Sequence, residues 1–580
     1  MSNYDAAGNL LVNVAMIGAG NGLYLNAKDY GAAGTGNTDD YPSLQAALNA
    51  IAIAGKGALF IPAGTYSLSQ DLVVPSNCLV LGSGRGSILR AANASLTNCL
   101  KLSSVSHCMI ANLAIDGNKA NVQQIGIQYV SLSGIQITNS DDITITGCYI
   151  HDCYVSGIMA NGGCTNLLIS NNRLVNCFDN QVYIRAQNTT PYTPCNYATI
   201  TGNICSGGSY SGIQVLGSSY VAITGNTCYN NGPTAAQGDG IGSEGSSHIT
   251  IAGNVCYNNG IQGIHVRYTS EVGANQQSSH VVVSGNECYG HTSGNGDAGG
   301  IAVDDTDDIV VSGNVVYGNQ FGINVNGGQG MGVSHCQLIG NSVRNNSNVG
   351  LRIAPGTGSE YVLQDNYVTD SGGDNVFCYA PVVIQGGVYA RAAANKEGIH
   401  LLSGSNGSVI DGAVIYDNQD NGILIDSPVT GVEIRNCLFN NVVGTNQRRA
   451  LQEQSGAGPT RMVNCRILNQ STNLYVFNNA SSRLYDEQTK GTATVTANYT
   501  ALTGDDVVLC NQSAAITITL PSASGVNGRI LTIKDKSGSA ATNTITVSGA
   551  NTIDGTASKV LNTAYGALRL VSDGSNWFSI

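Results

Sequence analysis

The sequence has little charge, few aromatic residues and no long apolar run. Charged residues make up 11% of the 580 positions, whereas a typical globular domain carries roughly 25%. The net charge is −12. A protein that tracks phosphates needs a basic stripe instead, so we expect no nucleic-acid partner. No stretch approaches the ~20 consecutive apolar residues of a membrane-spanning helix, so we expect no membrane partner.

The start of the chain lacks the pattern of a secreted protein. The first residues, MSNYDAAGNLLVNVAMIG, show no basic start followed by an apolar segment, so they do not form a Sec signal peptide. Exported bacterial enzymes usually carry such a peptide. A protein that is assembled in the cytoplasm and released by lysis does not carry a signal peptide. We expect this chain to be released by lysis.

The cysteines do not form a disulfide framework. Their number is odd, 17, and four of them directly follow a Gly-Asn-x triplet: Cys205, Cys228, Cys256 and Cys288. A repeat position of this kind fits neither a disulfide framework nor a metal motif. We predict small, buried, stacked side chains with no metal or redox role.

A repeat runs through the middle of the chain. Short β-branched runs such as VAITGN and VVVSGN end in Gly-Asn, and a second pattern, Gly-Ile-x-Val-x, follows each of them. The period is about 22–30 residues, enough for three short strands and three turns, and such a coil must stack on its neighbours to bury its apolar side chains. Asn at one turn per coil is typical of a hydrogen-bonded ladder. The ladder positions are Asn203, Asn226, Asn254, Asn286, Asn314 and Asn341.

These patterns predict an all-β β-helix (solenoid) with a cap and a separate end domain. We expect an N-terminal segment at 1–24, a cap at 25–70 whose helix follows an Asp N-cap within 39–54, and the parallel β-helix at 71–486. About 16 coils at ~4.8 Å each make a rod of ~75 Å. Residues 487–580 lose the Gly-Asn period and alternate short strands with Gly/Ser/Asn turns, which is typical of a small β-sandwich.

Two segments resemble known families. Residues 29–84, from DYGAAGTGNTDD to LVLGSG, resemble the entry segment of the pectate-lyase-like superfamily, which includes phage tailspikes, polygalacturonases and mannuronan C-5 epimerases. The resemblance implies a right-handed parallel β-helix. The C-terminal segment is similar to domains at the ends of phage tail fibres and tailspikes, whose distal domain trimerises the shaft or contacts carbohydrate.

The tailspike resemblance implies a virion protein that acts outside the host cell. Its expected partners are a bacterial surface polysaccharide, two further copies of the chain in a homotrimer, and other phage tail proteins. The expected activity is polysaccharide depolymerisation by glycoside hydrolysis. The alternatives are a polysaccharide lyase on the same scaffold and a non-catalytic adhesin. The epimerase motif Tyr-Gly-Phe-Asp-Pro-His is absent at the matching residues 156–161, which read SGIMAN, so the resemblance does not extend to that activity.

Candidate site residues come from the Gly-Ile-x-Val-z pattern. Ile and Val alternate inward, so x and z project from the outside of the coil and stack into two columns. The z column reads Arg185, Leu216, Glu244, Arg267, Asp304 and Asn326. The x column reads Tyr183, Gln214, Gly242, His265, Ala302, Asn324 and Arg352. Asp239 precedes the Gly of its coil, and these columns therefore concentrate charge in a chain that has little.

Hydrolysis of a glycosidic bond needs two carboxyl groups. Glu244 and Asp304 lie two coils apart, ~9.6 Å, close to the 6.5–9.5 Å of inverting pairs. We expect Glu244 as the acid and Asp304 or Asp239 as the base.

The neighbours of these carboxylates give the binding residues. His265 and Arg267 would hold substrate, with Tyr183, Arg185, Asp305 and Asn326 around them. In a lyase, Tyr183 or His265 would be the base, and Arg267 or Arg185 would neutralise a uronate.

Two plainer interpretations stay open. Exposed columns of a β-helix are often polar only because they face water. The acidic run from Asp304 to Asp308 also fits a solvated turn or a Ca²⁺ site. We expect no resident cofactor or metal, with Ca²⁺ as the alternative.

Overall fold

The computed structural model describes most of the chain. The described residues are 23–92, 98–121, 132–187, 192–232, 238–271, 276–292, 298–328, 330–356, 358–441, 447–468, 475–479, 481–485, 491–502, 505–524 and 526–580. The predicted segment 1–24 therefore lies outside them except for its last two residues. Within the described ranges, no helix has the length and apolar character needed to cross a bilayer.

Three parallel sheets wind along one axis, and each strand pairs with its counterpart in the next coil. The predicted parallel β-helix is confirmed. Sheet 1 consists of Leu23–Asn26, Gly57–Ile61, Cys78–Gly82, Ser106–Ala111, Asp141–Thr146, Thr165–Ser170, Asn196–Thr201, Ser219–Thr224, Ser247–Ala252, Ser278–Ser284, Thr306–Ser312, Ser334–Ile339, Ser359–Gln364, Val382–Gln385, Val409–Asp411, Val432–Arg435, Thr460–Val463 and Arg483–Tyr485.

Sheets 2 and 3 complete each coil. Sheet 2 consists of Thr35–Asp39, Gly64–Leu68, Ser87–Ala91, Ala114–Asp116, Tyr149–His151, Arg173–Val175, Ile204–Ser206, Thr227–Tyr229, Val255–Tyr257, Glu287–Tyr289, Val315–Tyr317, Ser342–Arg344, Tyr367–Thr369, Val388–Ala390, Val414–Tyr416, Leu438–Asn440 and Arg466–Leu468. Sheet 3 consists of Leu72–Val73, Leu100–Ser103, Ile135–Thr138, Ile158–Asn161, Val182–Arg185, Ile213–Leu216, Ile241–Glu244, Gln262–Arg267, Gly299–Asp304, Phe321–Gly327, Leu351–Gly356, Val376–Cys378, Ile399–Leu401, Asn421–Ile425, Arg449–Glu453 and Tyr475–Val476.

The core and the ladders follow the repeat. Inward Ile, Val, Leu and Cys side chains form one continuous apolar core along the rod. All 17 cysteines are free and buried, and the Cys205, Cys228, Cys256 and Cys288 positions stack in register, so the predicted stacked cysteines are confirmed. The asparagine ladder is confirmed too, since the amide Nδ2 of Asn226 donates to Asn254 Oδ1 at 3.0 Å.

A helix covers the first coils. It spans Tyr41–Ala54 and buries Leu44, Leu48 and Ile51 against the solenoid core, as the apolar spacing predicts. Asp40 holds the N-cap position but makes no side-chain cap bond. Its carboxylate accepts the backbone N–H of Ala33 and Gly34 instead, because the preceding loop folds back over the helix start.

The C-terminal residues form a second all-β unit with its own core around Trp577. Two parallel ladders are joined into one sheet by the last two strands. The two layers of the predicted sandwich are therefore joined by strand pairing along one side. The strands are Thr492–Val495, Tyr499–Thr500, Val507–Cys510, Ile516–Thr519, Ile530–Asp535, Ile545–Ile553, Thr556–Leu561, Ala567–Ser572 and Trp577–Ser579. The exact domain boundaries stay a prediction.

Candidate functional site

The candidate site lies on the outer side of sheet 3, where three successive strands place five charged side chains together. We call Asp239, Glu244, His265, Arg267 and Asp304 the central cluster. The strand Gln262–Arg267 is the middle one, since Glu244 pairs in register with Arg267 and Val266 pairs with Val303. Ile264 and Val266 point into the core. The intervening His265 and Arg267 therefore project outward.

His265 joins two carboxylates. Its Nδ1 donates to Asp239 Oδ2 at 3.3 Å and its Nε2 donates to Asp304 Oδ2 at 2.8 Å. Burial works against a charged imidazole, but the two carboxylates outweigh it and raise the pKa of His265 to about 9. Both ring nitrogens therefore carry protons near neutral pH, and the ring is fixed between two coils.

Asp239 is held from two sides. Its Oδ1 accepts the backbone N–H of Gln262 at 3.2 Å, while Oδ2 faces His265. Burial alone would raise the pKa of Asp239, yet the charges of His265 and Arg267 leave it below its usual value. With both oxygens bonded and 6% of its surface exposed, Asp239 orients His265 and offers little room for a ligand.

Glu244 forms the other half of the cluster. Its Oε1 accepts hydrogen bonds from Arg267 Nη2 and from Gln214 Nε2, the latter at 2.8 Å. The guanidinium remains partly open to solvent, with 42% of the side chain exposed. The Asp304 side chain also remains partly open, while its Oδ1 is buried without a hydrogen-bond partner among the described residues. These two side chains are the accessible polar groups at the surface of the cluster.

The side chains of the central cluster are less exposed to solvent than those of a column that simply faces water. Asp239, Glu244 and His265 point away from the solenoid core but are all buried. The physical reason is mutual contact, because each side chain lies against a partner from the next coil. Side chains that were polar only because they face water would not form these ion pairs and hydrogen bonds with one another.

The remaining predicted residues lie around the cluster. Tyr183 is buried in a small apolar group with Val155, Met159 and Leu216, and burial raises its pKa further above neutrality. This position does not favour Tyr183 as a base. Arg185 lies over the Tyr183 ring, 5.4 Å from its centroid.

The structure places the last two predicted residues, Asn326 and Asp305, in different surroundings. Asn326 pairs in register with Asp304, one coil further on. Asp305 has 0% of its surface exposed, and its Oδ1 accepts the backbone N–H of Met331 and Gly332 at 3.1 and 2.7 Å. The structure therefore does not place Asp305 at a binding surface. The reason is that the chain turns after Asp304 and directs this carboxylate inward to hold a neighbouring turn.

The acidic run after Asp304 does not converge on one point. Asp307 lies 2.9 Å from His335, and Asp308 lies 3.7 Å from His280. Among the described residues, the group spaced to share one metal ion is Asp116, His151 and Asp152, on sheet 2. A Ca²⁺ site at Asp304–Asp308 stays a prediction.

Sequence reasoning missed two features of the same face. Asp179, two coils before Asp239, is buried, and this burial raises its pKa to about 6. Asp374, His400 and Asp426 form a second ion-paired group further along sheet 3. A signal for this group exists in the sequence, since Gly-Ile-His occurs both at 263–265 and at 398–400.

A family comparison identifies the solenoid. The family described as right-handed beta helix region matches residues 69–195, 133–291, 196–366 and 331–489, together more than half of the chain. The chain belongs to this right-handed β-helix family. The hand of the coil, which the resemblance implied, is thereby confirmed.

Two relatives found by sequence match only parts of this β-helix protein. Alginate lyase 7 of Azotobacter vinelandii is 32% identical over 120 residues, covering 17% of this chain and 13% of its own. Depolymerase 1 of Klebsiella phage K5-2, capsule K30/K69-specific, is 26% identical over 145 residues, covering 23% and 18%. The chain thus spans less than a fifth of either relative. The pre-mature gene product 12 of bacteriophage phi29 has a TM-score of 0.52 at 16% identity, covering 91% of this chain and 67% of its own, a likeness of fold.

Proposed function

We propose that this β-helix protein is a phage tailspike that binds and depolymerises a bacterial surface polysaccharide by glycoside hydrolysis. The observation that carries the proposal is the central cluster, in which carboxylates from two coils are held by a protonated His265 and by Arg267 of the coil between them, on one face of sheet 3. The partial similarity to a phage capsule depolymerase supports the substrate class. Capsule, exopolysaccharide and O-antigen all belong to that class.

We propose separate roles for the carboxyl groups. In the proposed reaction Glu244 acts in its protonated form and gives that proton to the glycosidic oxygen, and Asp304 takes a proton from the water that adds to the anomeric carbon. The bond between the anomeric carbon and that oxygen breaks, and each cut creates one reducing end. Asp304 suits the base role better than Asp239, because Asp239 is the more deeply covered and has both oxygens bonded.

Arg267 is proposed to bind substrate hydroxyl groups. Its guanidinium is partly exposed beside the acid, and it presents several N–H donors in a fixed plane. Asp239 is a positioning residue in this scheme, since it acts through His265. The lyase alternative is less favoured, because Tyr183, one of its two proposed bases, is buried in an apolar group, and the other, His265, already carries a proton near neutral pH.

A direct experiment tests the activity. Purified protein is added to capsule-bearing cells and to a panel of purified bacterial polysaccharides, and the products are analysed by mass spectrometry. Hydrolysis is expected to give clearing halos and new reducing ends without absorbance near 235 nm. New absorbance there would show a lyase. Binding without any new ends on a polysaccharide that the protein retains would make it an adhesin.

The assembly and location are proposed on the same basis. We expect a homotrimer attached to the virion through other phage tail proteins, acting outside the host cell. The flat sides of a β-helix are suited to packing against two further copies. Light scattering should give three times the monomer mass of 59.8 kDa. A monomer mass that does not change with concentration would contradict the trimer.

No resident cofactor is needed for this chemistry, since both proton transfers use side chains. Activity should therefore survive dialysis against EDTA. Loss of activity that Ca²⁺ restores would instead support a Ca²⁺ site, with the acidic run at Asp304–Asp308 the first to be tested.

A further inference from the structure

A second cluster on sheet 3 repeats the arrangement of the central cluster. His400 Nδ1 donates to Asp374 Oδ2 at 3.0 Å, and its Nε2 lies 3.3 Å from Asp426 Oδ2. Burial opposes a charged ring at His400, but Asp374 and Asp426 raise its pKa above the usual value. We call Asp374, Glu397, His400 and Asp426 the second cluster.

The repetition extends to strand register. Asp374 lies two residues before Val376, as Asp239 lies two before Ile241. His400 follows Ile399 one coil later and Asp426 lies three residues after Ile423 in the next coil. These are the positions that His265 and Asp304 hold relative to Ile264 and Ile301.

The backbone contact is repeated as well. Asp374 Oδ1 accepts the N–H of Glu397 at 2.9 Å, just as Asp239 Oδ1 accepts that of Gln262. Five strand steps of sheet 3 separate Asp374 from Asp239, a distance of about 24 Å along the axis at ~4.8 Å per coil.

The second cluster adds features that suit a sugar. Phe377 contacts His400 edge-on, with ring centroids 5.3 Å apart, and Tyr379 packs against Phe377 at the same distance. Both aromatic rings are partly exposed. Partly exposed rings beside hydrogen-bonding carboxylates match the two faces of a sugar, whose C–H groups pack on apolar surface while its hydroxyls donate to oxygen.

Two buried oxygen atoms in or next to the second cluster lack a hydrogen-bond partner among the described residues. Asn421 has 1% of its surface exposed, and its Nδ2 donates to Glu397 Oε2 at 3.2 Å. Its Oδ1 and Asp426 Oδ1 are buried without a hydrogen-bond partner among the described residues. A buried acceptor without a donor destabilises the fold. A ligand that brings hydroxyl donors would remove this cost.

We propose that Asp374, Glu397, His400 and Asp426 form a second glycan-binding site, which holds a neutral sugar unit of the same polysaccharide chain about 24 Å from the central cluster. The inference rests on the proposed function, because it takes the polysaccharide as the ligand. Carboxylates outnumber cations in the site, which disfavours a uronate. The strands between the two clusters form one continuous face of sheet 3, along which a polymer can extend.

The test counts binding sites. The probe is the set of oligosaccharides, up to pentamers, that wild-type protein releases by exhaustive digestion. It is titrated into Asp304→Asn protein by calorimetry, so that binding is measured without cleavage. Two sites per chain are expected, and adding His400→Ala should leave one. His107→Ala is the matched control, because His107 also pairs with a carboxylate, Asp142, at 2.8 Å, but lies exposed on sheet 1.

Kinetics give an independent readout in the otherwise unmodified protein. His400→Ala and Asp426→Asn should raise KM for long polysaccharide by about tenfold, the scale of one lost charged hydrogen bond, and leave kcat within about twofold. Melting temperature and circular dichroism confirm that each variant is folded.

The outcomes separate the two claims. One site per chain, with unchanged KM in both folded variants, overturns the second site while hydrolysis by wild type leaves the proposed function intact. If wild-type protein neither binds nor cleaves any polysaccharide of the panel, the proposed function itself fails. If kcat rather than KM falls in His400→Ala, the second cluster is the catalytic centre and the binding role is wrong.

Discussion

His265 Nε2 lies 2.8 Å from Asp304 Oδ2, and the two residues lie on neighbouring strands of sheet 3 in successive coils. The contact joins a protonated imidazole to the carboxylate that the proposed mechanism uses as base. Because Asp239 holds the opposite ring nitrogen, the imidazole cannot turn without breaking both contacts. This pair therefore sets the position of Asp304 relative to Glu244.

The first prediction concerns the two reacting carboxyl groups. Glu244→Gln and Asp304→Asn should each lower kcat by at least about 10²-fold, the usual scale for removing a general acid or base. Polysaccharide binding should persist, because the amides keep the shape and much of the hydrogen bonding. Reducing-end assays and calorimetry measure the two quantities. Asp307→Asn, in the same acidic run but exposed and paired with His335, is the control and should retain activity.

Arg267→Ala should act differently. Loss of its partly exposed guanidinium is expected to raise KM more than it lowers kcat.

Full activity in both carboxamide variants would rule out the central cluster as the catalytic centre, and clefts between subunits would then be examined.

The second prediction uses the pKa of His265, about 9 in the folded protein against ~6.5 in an unfolded chain. Below pH 6.5 both states carry the proton, and the ion pairs contribute their full stabilisation. Between pH 6.5 and 9 the unfolded state binds fewer protons than the folded state, so stability falls as pH rises. Denaturant unfolding of wild type and His265→Gln should show a stability gap that is largest near pH 6 and shrinks toward pH 9.5. A gap that stays constant over this range would mean that His265 is not protonated in the folded protein.

The third prediction concerns Glu397, where a raised pKa again makes stability fall as pH rises, in a lower pH range. Burial, with the carboxylates of Asp420 and Asp374 nearby, raises its pKa to about 7. Between pH 4.5 and 7 the folded state keeps a proton that the unfolded state has released, so this group makes the free energy of unfolding decrease as pH rises. Glu397→Gln removes the ionisation and should be more stable than wild type at pH 8, by up to about 3 kcal/mol. The two proteins should converge near pH 4.5. Greater stability of wild type at pH 8 would contradict the raised pKa.

The fourth prediction concerns the C-terminal unit. Its core around Trp577 is separate from the solenoid core, so deleting residues 487–580 should leave the β-helix folded while weakening the trimer or its folding yield. Light scattering and thermal melting measure both effects. A truncated protein that stays trimeric with unchanged melting would show that the unit has no role in assembly.

Much of the fold was predictable because it is repetitive. Gly-Asn followed by Gly-Ile-x-Val-x recurs in coil after coil, and each copy adds the same evidence for stacked strands. The cap helix was predictable from its apolar spacing, but the side-chain bonds of Asp40 were not. They depend on the loop at Ala33 and Gly34, and no local pattern shows that this loop folds back over the helix.

The candidate site was also predictable only in part from the sequence. The sequence by itself determined which side chains leave the core, because strand alternation puts Ile264 and Val266 inside and leaves His265 and Arg267 outside. Only the tertiary structure decided which of them touch. Contacts such as His265 to Asp304 join residues 39 positions apart, and because the number of residues per coil varies along the chain, the sequence alone does not show which residues meet. For the same reason Asp305 turned out to be buried, and the cluster at His400 emerged only when stacking brought three coils together.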